Sequence, residues 1–196
     1  MSFYREQLSE YLSKLTIKED RVLDVGGAAN PVKNQVKTCK VKEYIVMDNK
    51  AEQDLSEEWH IPDIVWDINY DMVKSYELKE FKNKFDQIFM LEVMEYLYNP
   101  LQAFKNIYSL LKTGGIFVFS APLIYPFHNP KKIDYMRYTK SGILKLLEES
   151  DLTLLNLYPR YAKNPQLIKE FFIKEGMHMA KGEDHGIIGW IGEAIK

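Results

Sequence analysis

Val22-Leu23-Asp24-Val25-Gly26-Gly27-Ala28-Ala29-Asn30-Pro31 decides how this chain is read. A short apolar, β-branched run behind Arg21 leads into an acid and two glycines, the pattern of a buried strand ending in a turn tight enough for a ligand to approach the backbone. A turn at the carboxyl end of a first strand is where open α/β sheets bind nucleotide-like ligands. The same ten residues also suit an ordinary strand-to-helix loop, so the decision rests on the residues downstream. Glu43-Tyr44-Ile45-Val46-Met47-Asp48 is a second apolar run ending in an acid. Asp48 follows Asp24 at close to the separation of about 20 residues at which such folds set a ribose-binding carboxylate. Two acid-tipped strands then frame one ligand site. A dinucleotide would call for G-x-G-x-x-G, so that its pyrophosphate sits on a helix amino terminus. Here Gly26 is followed by Gly27, Ala28, Ala29 and Asn30, and that pattern fails at its second and third glycines.

Outward from these strands the pattern alternates. Asp63 to Asp67 reads as a third strand, Phe85 to Leu91 as a fourth, Ile116 to Ser120 as a fifth and Leu152 to Tyr158 as a sixth. Asn99 can cap a helix with Pro100 at its first position, and Leu101, Phe104, Ile107, Tyr108 and Leu111 form an apolar face ending before Gly114. Thr139 to Ser150 reads as a further helix with Ile143, Leu144 and Leu147 inward. At the amino terminus Phe3, Leu8, Tyr11, Leu12 and Leu15 fall on one side at helical spacing. In the tail, Leu167, Ile168, Phe171, Phe172 and Met179 suit an amphipathic helix. Gly186 to Lys196 is expected to be a strand rather than a helix, because glycines at 186, 189 and 192 disfavour the helix. Strands alternating with helices imply an α/β fold: a single doubly wound, mostly parallel sheet with helices on both faces. The expected organisation is one domain over residues 1–196, with 1–18 an amino-terminal helix and 163–182 a helical insertion.

Composition narrows the function little. With 196 residues and 46% apolar content, the chain is long enough for one domain with a sizeable core and short for two. Its 26 lysines and arginines nearly match 28 aspartates and glutamates, so no global field recruits nucleic acid. The single cysteine, Cys39, excludes an internal disulfide and a multi-cysteine zinc site, and His60, His178 and His185 fall in no metal-ligating pattern. The first residues, with Arg5, Glu6, Glu10 and Lys14, hold no signal-peptide core, and no run reaches the roughly 18 apolar residues of a membrane span. A cytoplasmic location is the expectation.

The order and spacing of several short motifs resemble the class I S-adenosylmethionine-dependent methyltransferases over most of the chain. Their first motif looks like D-x-G-x-G-x-G, and here stand Asp24 and Gly26, with Ala28 and Asn30 where two further glycines are usual. A later stretch resembles F-D-x-I-x-x-x-E-V-L-E-H-x-x-x-P followed by L-L-K-P-G-G. It is matched by Phe85-Asp86-Gln87-Ile88, Glu92-Val93-Met94-Glu95-Tyr96, Pro100 and Leu110-Leu111-Lys112-Thr113-Gly114-Gly115. Tyr96 replaces the usual histidine and Thr113 the usual proline. The resemblance implies a Rossmann-like methyltransferase fold with an antiparallel last strand, and S-adenosylmethionine as the cofactor. It implies that the Gly26, Gly27 and Ala28 backbone passes the methionine and ribose, and that Asp48 accepts both ribose hydroxyls. Asp67 would receive the adenine amino group with Ile68 against the ring, and Leu91 or Glu92 would lie beside the methionine end. Asp24 either joins that cradle or braces the loop through backbone N–H groups.

The acceptor side falls in residues 121–139, a loop too long for mere connection and too aromatic for disorder. It resembles a P-x-x-Y-P-x-H-x-x-P-x-D-Y-x-R-Y-T signature found in methyltransferases that look like modifiers of sugars, glycan precursors or other small metabolites. Tyr125, Asp134, Tyr135 and Tyr138 are the expected substrate-binding residues. His128 is a candidate general base at near-neutral pH, with a loop-stabilising hydrogen bond as the alternative. Arg137 is a candidate catalytic cation, with an ion pair to Asp134 as the alternative. The expected partner is a small-molecule acceptor. Two other readings stay open: a methyltransferase-like scaffold that no longer catalyses, and a nicotinamide-dependent oxidoreductase, against which the missing glycines and the absence of a Tyr-x-x-x-Lys pair count.

Overall fold

The computed structural model describes residues 2–49, 60–75, 78–127, 131–177 and 184–196. In chain order the elements are α1 (Phe3–Lys14), β1 (Thr16–Ile17), β2 (Arg21–Val25), β3 (Thr38–Cys39), β4 (Glu43–Asp48), β5 (Ile64–Val65), β6 (Phe85–Met90), α2 (Pro100–Leu110), β7 (Leu111–Pro122), α3 (Lys140–Glu149), β8 (Thr153–Tyr161), α4 (Pro165–Lys174) and β9 (Ile187–Ile195). The main sheet has the order β5-β4-β2-β6-β7-β9-β8. Its pairs are parallel except those of β9, which runs antiparallel to both β7 and β8. The strand reading of the tail is therefore the observed one, and the order reverses at β2, as in doubly wound sheets whose ligands sit beyond the strand ends. Asp24 lies beside Val46 on one neighbour and Phe89 on the other, so the tips of β2, β4 and β6 gather at one edge.

The main core fills one face, where Phe104, Ile107 and Leu110 of α2 and Ile143 and Leu147 of α3 meet Ile88, Met90, Phe117 and Phe119 from the sheet. The opposite face is covered by Leu8 and Leu12 of α1 with Ile17 and Val32. Asn99 caps α2 through its side chain, and Thr139 caps α3 by accepting from the Gly142 amide at 3.1 Å. The faces differ in detail from the sequence expectation. On α2 the inward set is Ala103, Phe104, Asn106, Ile107 and Leu110; the helix stops at Leu110, and Leu111 already pairs with Phe85 in a β7 longer than expected. Phe3 and Leu144 face solvent, and Tyr4 takes the inward place on α1.

Helices also cover the sheet less evenly than strict alternation implies. The β2–β4 connection contains, instead of an α-helix, a single 3-10 turn at Val32–Asn34 and the short β3, which pairs in parallel with β1 from before β2. Residues 26–42 are drawn instead onto β1 and into the hydrogen bonds of Asp24. Two further 3-10 turns, Met72–Lys74 and Lys79–Phe81, lie between β5 and β6. The α4 helix carries no buried residue, and Met179 lies outside the described residues. Among the described residues no helix is long and apolar enough to cross a membrane.

Candidate active site

Gly26 has φ +76°, and a Cβ there would run into the Val93 side chain, so the turn after β2 and the residues after β6 touch. The Gly26 amide donates to the Met47 carbonyl at 2.7 Å, which ties the same turn to the end of β4. Asp48 stands half-buried at that end, its Oδ2 3.4 Å from the Ala28 amide. Ala28 itself is fully buried, and its carbonyl accepts from the His60 amide at 2.8 Å.

Asp24 corrects one expectation. Its Oδ2 accepts from the Val32 amide at 2.8 Å and the Tyr44 hydroxyl at 2.6 Å, and the residue is 2% exposed. Burial outweighs these bonds and pushes the carboxyl up to about 6. The same Tyr44 hydroxyl accepts from the Lys33 amide. Asp24 is thus a brace for the turn that replaces a helix and is not open to a ligand. Gly27 serves that brace, because a Cβ there would strike the Asp24 carboxylate.

Asp67 is half-buried after β5, its Oδ1 accepting from the Asn69 amide and side chain. Ile68 packs in the main core at 5% exposure, so its side chain serves packing rather than an open subsite. Asn106, 2% exposed in the middle of α2, fixes this turn by donating to the Ile68 and Tyr70 carbonyls and accepting from the Met72 amide. Asn69 accepts from the Asn99 amide at 3.0 Å and joins the turn to the start of α2.

On the acceptor side, the amides of Tyr135 and Met136 both donate to the Glu95 carbonyl, and the Tyr138 amide donates to the Pro122 carbonyl. Tyr138 is 5% exposed, with its hydroxyl on the Met94 carbonyl and its ring in the core, which removes it from the substrate-binding set. Asp134 leaves that set too, because its side chain is fully buried and both oxygens are held by Arg137. Arg137 also donates to the carbonyls of Tyr125, Pro126 and Met136, the ion-pair alternative rather than the catalytic one. His128 lies outside the described residues. Tyr135 is 48% exposed and stands edge-on to Tyr98, which in turn meets Tyr70 edge-on, at centroid distances of 6.1 and 6.3 Å.

Sequence reasoning missed a polar cluster around Glu92. Glu92 adopts φ +55°, its amide donates to the Ser120 hydroxyl at 2.8 Å, and that hydroxyl donates back to Glu92 Oε1 at 2.9 Å. Arg160, on β8 and 1% exposed, donates to the same Oε1 at 2.6 Å and to the Tyr4 carbonyl, with its guanidinium 3.2 Å from the Tyr4 ring centroid. Tyr125 lies half-buried with its ring centroid 4.7 Å from that of Tyr4. Leu91, next to Glu92, packs toward α1. The only local signal for Arg160 was a lone charged residue in a strand, and nothing local names its partner.

Acid-tipped parallel strands around a glycine turn, with a reversal of strand order beside them, define a Rossmann-like cofactor-binding fold. The family model described as "Methyltransferase domain" matches residues 2–162. The chain therefore belongs to the methyltransferase-domain family, whose cofactor is S-adenosylmethionine. No curated protein matches it. An S-adenosylmethionine-dependent methyltransferase from Mesorhizobium loti is similar in fold at 12% identity, with TM-score 0.62 and coverage of 100% of this chain and 98% of that one. A methyltransferase of Methanosarcina mazei gives 13% identity, TM-score 0.55 and coverage of 91% and 93%. The phosphoethanolamine N-methyltransferase 2 of Haemonchus contortus, solved with S-adenosylmethionine, gives 11%, 0.59 and coverage of 98% and 52%.

Asp48 and Asp67 fit the cofactor's polar ends. Both are half-buried carboxylates at the strand edge, an acceptor set matched to donation from ribose hydroxyls and from an adenine amino group. The usual glycine at position 28 is an alanine whose buried methyl packs into the fold, leaving its amide on Asp48.

Proposed function

We propose that this protein transfers a methyl group from S-adenosylmethionine to a small polar acceptor, with a sugar or glycan-precursor metabolite as the leading class, and does so in the cytoplasm. When bound, the cofactor supplies an electrophilic methyl group on a sulfonium; the protein's part is to align donor and acceptor and to receive a proton. Asp48 and Asp67 are the cofactor ligands in this reading, with the Gly26 turn beneath them.

The observation that carries the acceptor class is the row of Tyr70, Tyr98 and Tyr135. Three loops present partly exposed rings at the ligand edge. Asn106 and the Glu95 carbonyl hold the backbones of the outer two, so the rings are set in advance. Aromatic faces with hydroxyl rims suit a ligand that has both C–H faces and hydroxyls. The formal charge of -2 favours a metabolite over a polyanion.

S-adenosylhomocysteine at 100 times its dissociation constant should stabilise the fold by about 2.7 kcal/mol, which raises the melting temperature by about 5 to 10 °C for a chain of this size. Asp48→Ala should weaken its binding by about tenfold or more. Methyl transfer from labelled cofactor across free sugars, sugar nucleotides and amines then identifies the acceptor. No thermal shift at millimolar product overturns the cofactor reading, and labelling confined to the amines overturns the sugar assignment.

A further inference from the structure

Glu92 is held with more apparatus than a surface carboxylate needs. Its positive φ is a conformation that costs a non-glycine residue free energy, and such strain persists only where the surroundings impose it. Here the surroundings are Ser120 on β7, Arg160 on β8 and, through Arg160, Tyr4 on α1. A cation at 1% exposure is costly to bury, and replacing such a pair with apolar side chains is commonly neutral or better for stability. Stability alone therefore does not account for the pair.

The geometry shows what it achieves. Both side-chain donors, Ser120 and Arg160, converge on Oε1 of Glu92. The side chain is still 20% exposed although Oε1 takes both of these donors, and it follows the tip of β6 beside the β2 and β4 tips. Val93, the next residue, fills the Cβ space of Gly26 and fixes Glu92 beside the glycine turn. At that edge Asp24 and Asp134 are sealed by their own partners, and Arg137 is committed to Asp134 and to carbonyls. Glu92 is thus a partly exposed acid at that edge whose carboxylate is fixed by two side-chain donors.

Resting on the methyl-transfer reading, we propose that Glu92 is a catalytic residue that takes the acceptor's proton, and that Arg160 is a positioning residue that aims its carboxylate. The acceptor is then a hydroxyl or an amine. Its lone pair forms the bond to the methyl carbon, the carbon–sulfur bonding pair leaves with sulfur, and the released proton passes to Glu92 Oε2 and on to water. No further reactant is needed.

The test needs no acceptor. Sinefungin carries an ammonium group in the region where the cofactor carries its methyl-sulfonium, so a carboxylate facing that point favours it over S-adenosylhomocysteine. Calorimetric titration of both ligands should show Glu92→Gln weakening sinefungin by at least tenfold while S-adenosylhomocysteine changes less than threefold. Glu92→Asp keeps the countercharge of Arg160 but draws the carboxylate back, and should lower the sinefungin preference at least threefold with the melting temperature nearly kept. Arg160→Lys keeps the cation but cannot hold Glu92 and the Tyr4 carbonyl together, and should shift the same preference in the same direction. Equal losses for both ligands, or no change in their ratio in the Asp and Lys variants, overturn the proposal. If the unmodified protein binds neither ligand, the cofactor reading itself fails and takes this one with it.

Discussion

Arg137 encloses the carboxylate of Asp134, three residues before it in the chain, leaving that side chain with no exposed surface. The pair is the clasp of the acceptor-side loop, since the same guanidinium holds the Tyr125 and Pro126 carbonyls from the loop's beginning. Arg137→Ala should cost about 3 kcal/mol, because it strands a buried carboxylate. Adding Asp134→Ala should recover at least about 1 kcal/mol of that loss, a coupling that urea unfolding of the four proteins measures. Simple additivity would mean that the two residues act independently.

Asp24 should make stability depend on pH in an unusual sense. Its carboxyl is raised in the folded state to about 6 from an ordinary 3.8, so between those values the folded protein binds more protons than the unfolded chain. The contribution is present at low pH and is lost as pH rises through about 6. The difference in unfolding free energy between the parent and Asp24→Asn should therefore move against the parent by up to about 3 kcal/mol from pH 4 to pH 7. A difference that stays flat over that range would show that the carboxyl is not raised.

Asn106 uses donor and acceptor atoms together, which no other side chain of its size reproduces. Asn106→Leu leaves the Ile68 and Tyr70 carbonyls and the Met72 amide without their partner, and should cost about 3 kcal/mol or more. Asn106→Asp should be worse at neutral pH, since it sets an anion against two carbonyls. Thermal melts give the order, and an aspartate variant as stable as the parent would contradict it.

Gly189 makes room for α1. A Cβ there would lie 2.7 Å from the Tyr4 hydroxyl and 2.9 Å from the Ala121 carbonyl, and the latter is backbone that cannot swing aside. Gly189→Ala should cost about 1 to 3 kcal/mol and speed hydrogen exchange selectively in residues 3–14. Unchanged exchange in α1 would mean that the helix is docked by its other contacts alone.

How far the sequence carries the fold depends on whether the determining interaction is local. The β2 and β4 limits, the Asn99 and Thr139 caps and the β9 strand follow from neighbours in the chain, through alternation, capping residues and glycine content. The helix missing after Gly27 had no local sign, and its replacement by a brace of Asp24, Val32 and Tyr44 is tertiary. The site divides in the same way. Asp48 and Asp67 stand where strand ends put them, while Asp24, Asp134 and Tyr138 look alike in sequence and are withdrawn by partners that spacing does not reveal. Arg160 is the extreme case, since its partners are 68 and 156 residues away.

That distance orders events in time. Chains are made from the amino terminus, and α1 emerges long before Arg160, Tyr161 and Glu193, which dock it through Tyr4, Gln7 and Tyr11. The residues of the β2, β4 and β6 tips are made while the helix that covers the opposite face still waits for β8 and β9. Joining contacts so far apart in sequence carries a larger loop-closure entropy than joining neighbours, so docking α1 is the costlier closure. A nascent chain thus carries the residues of the β2, β4 and β6 tips before those that hold α1 and Glu92 in place.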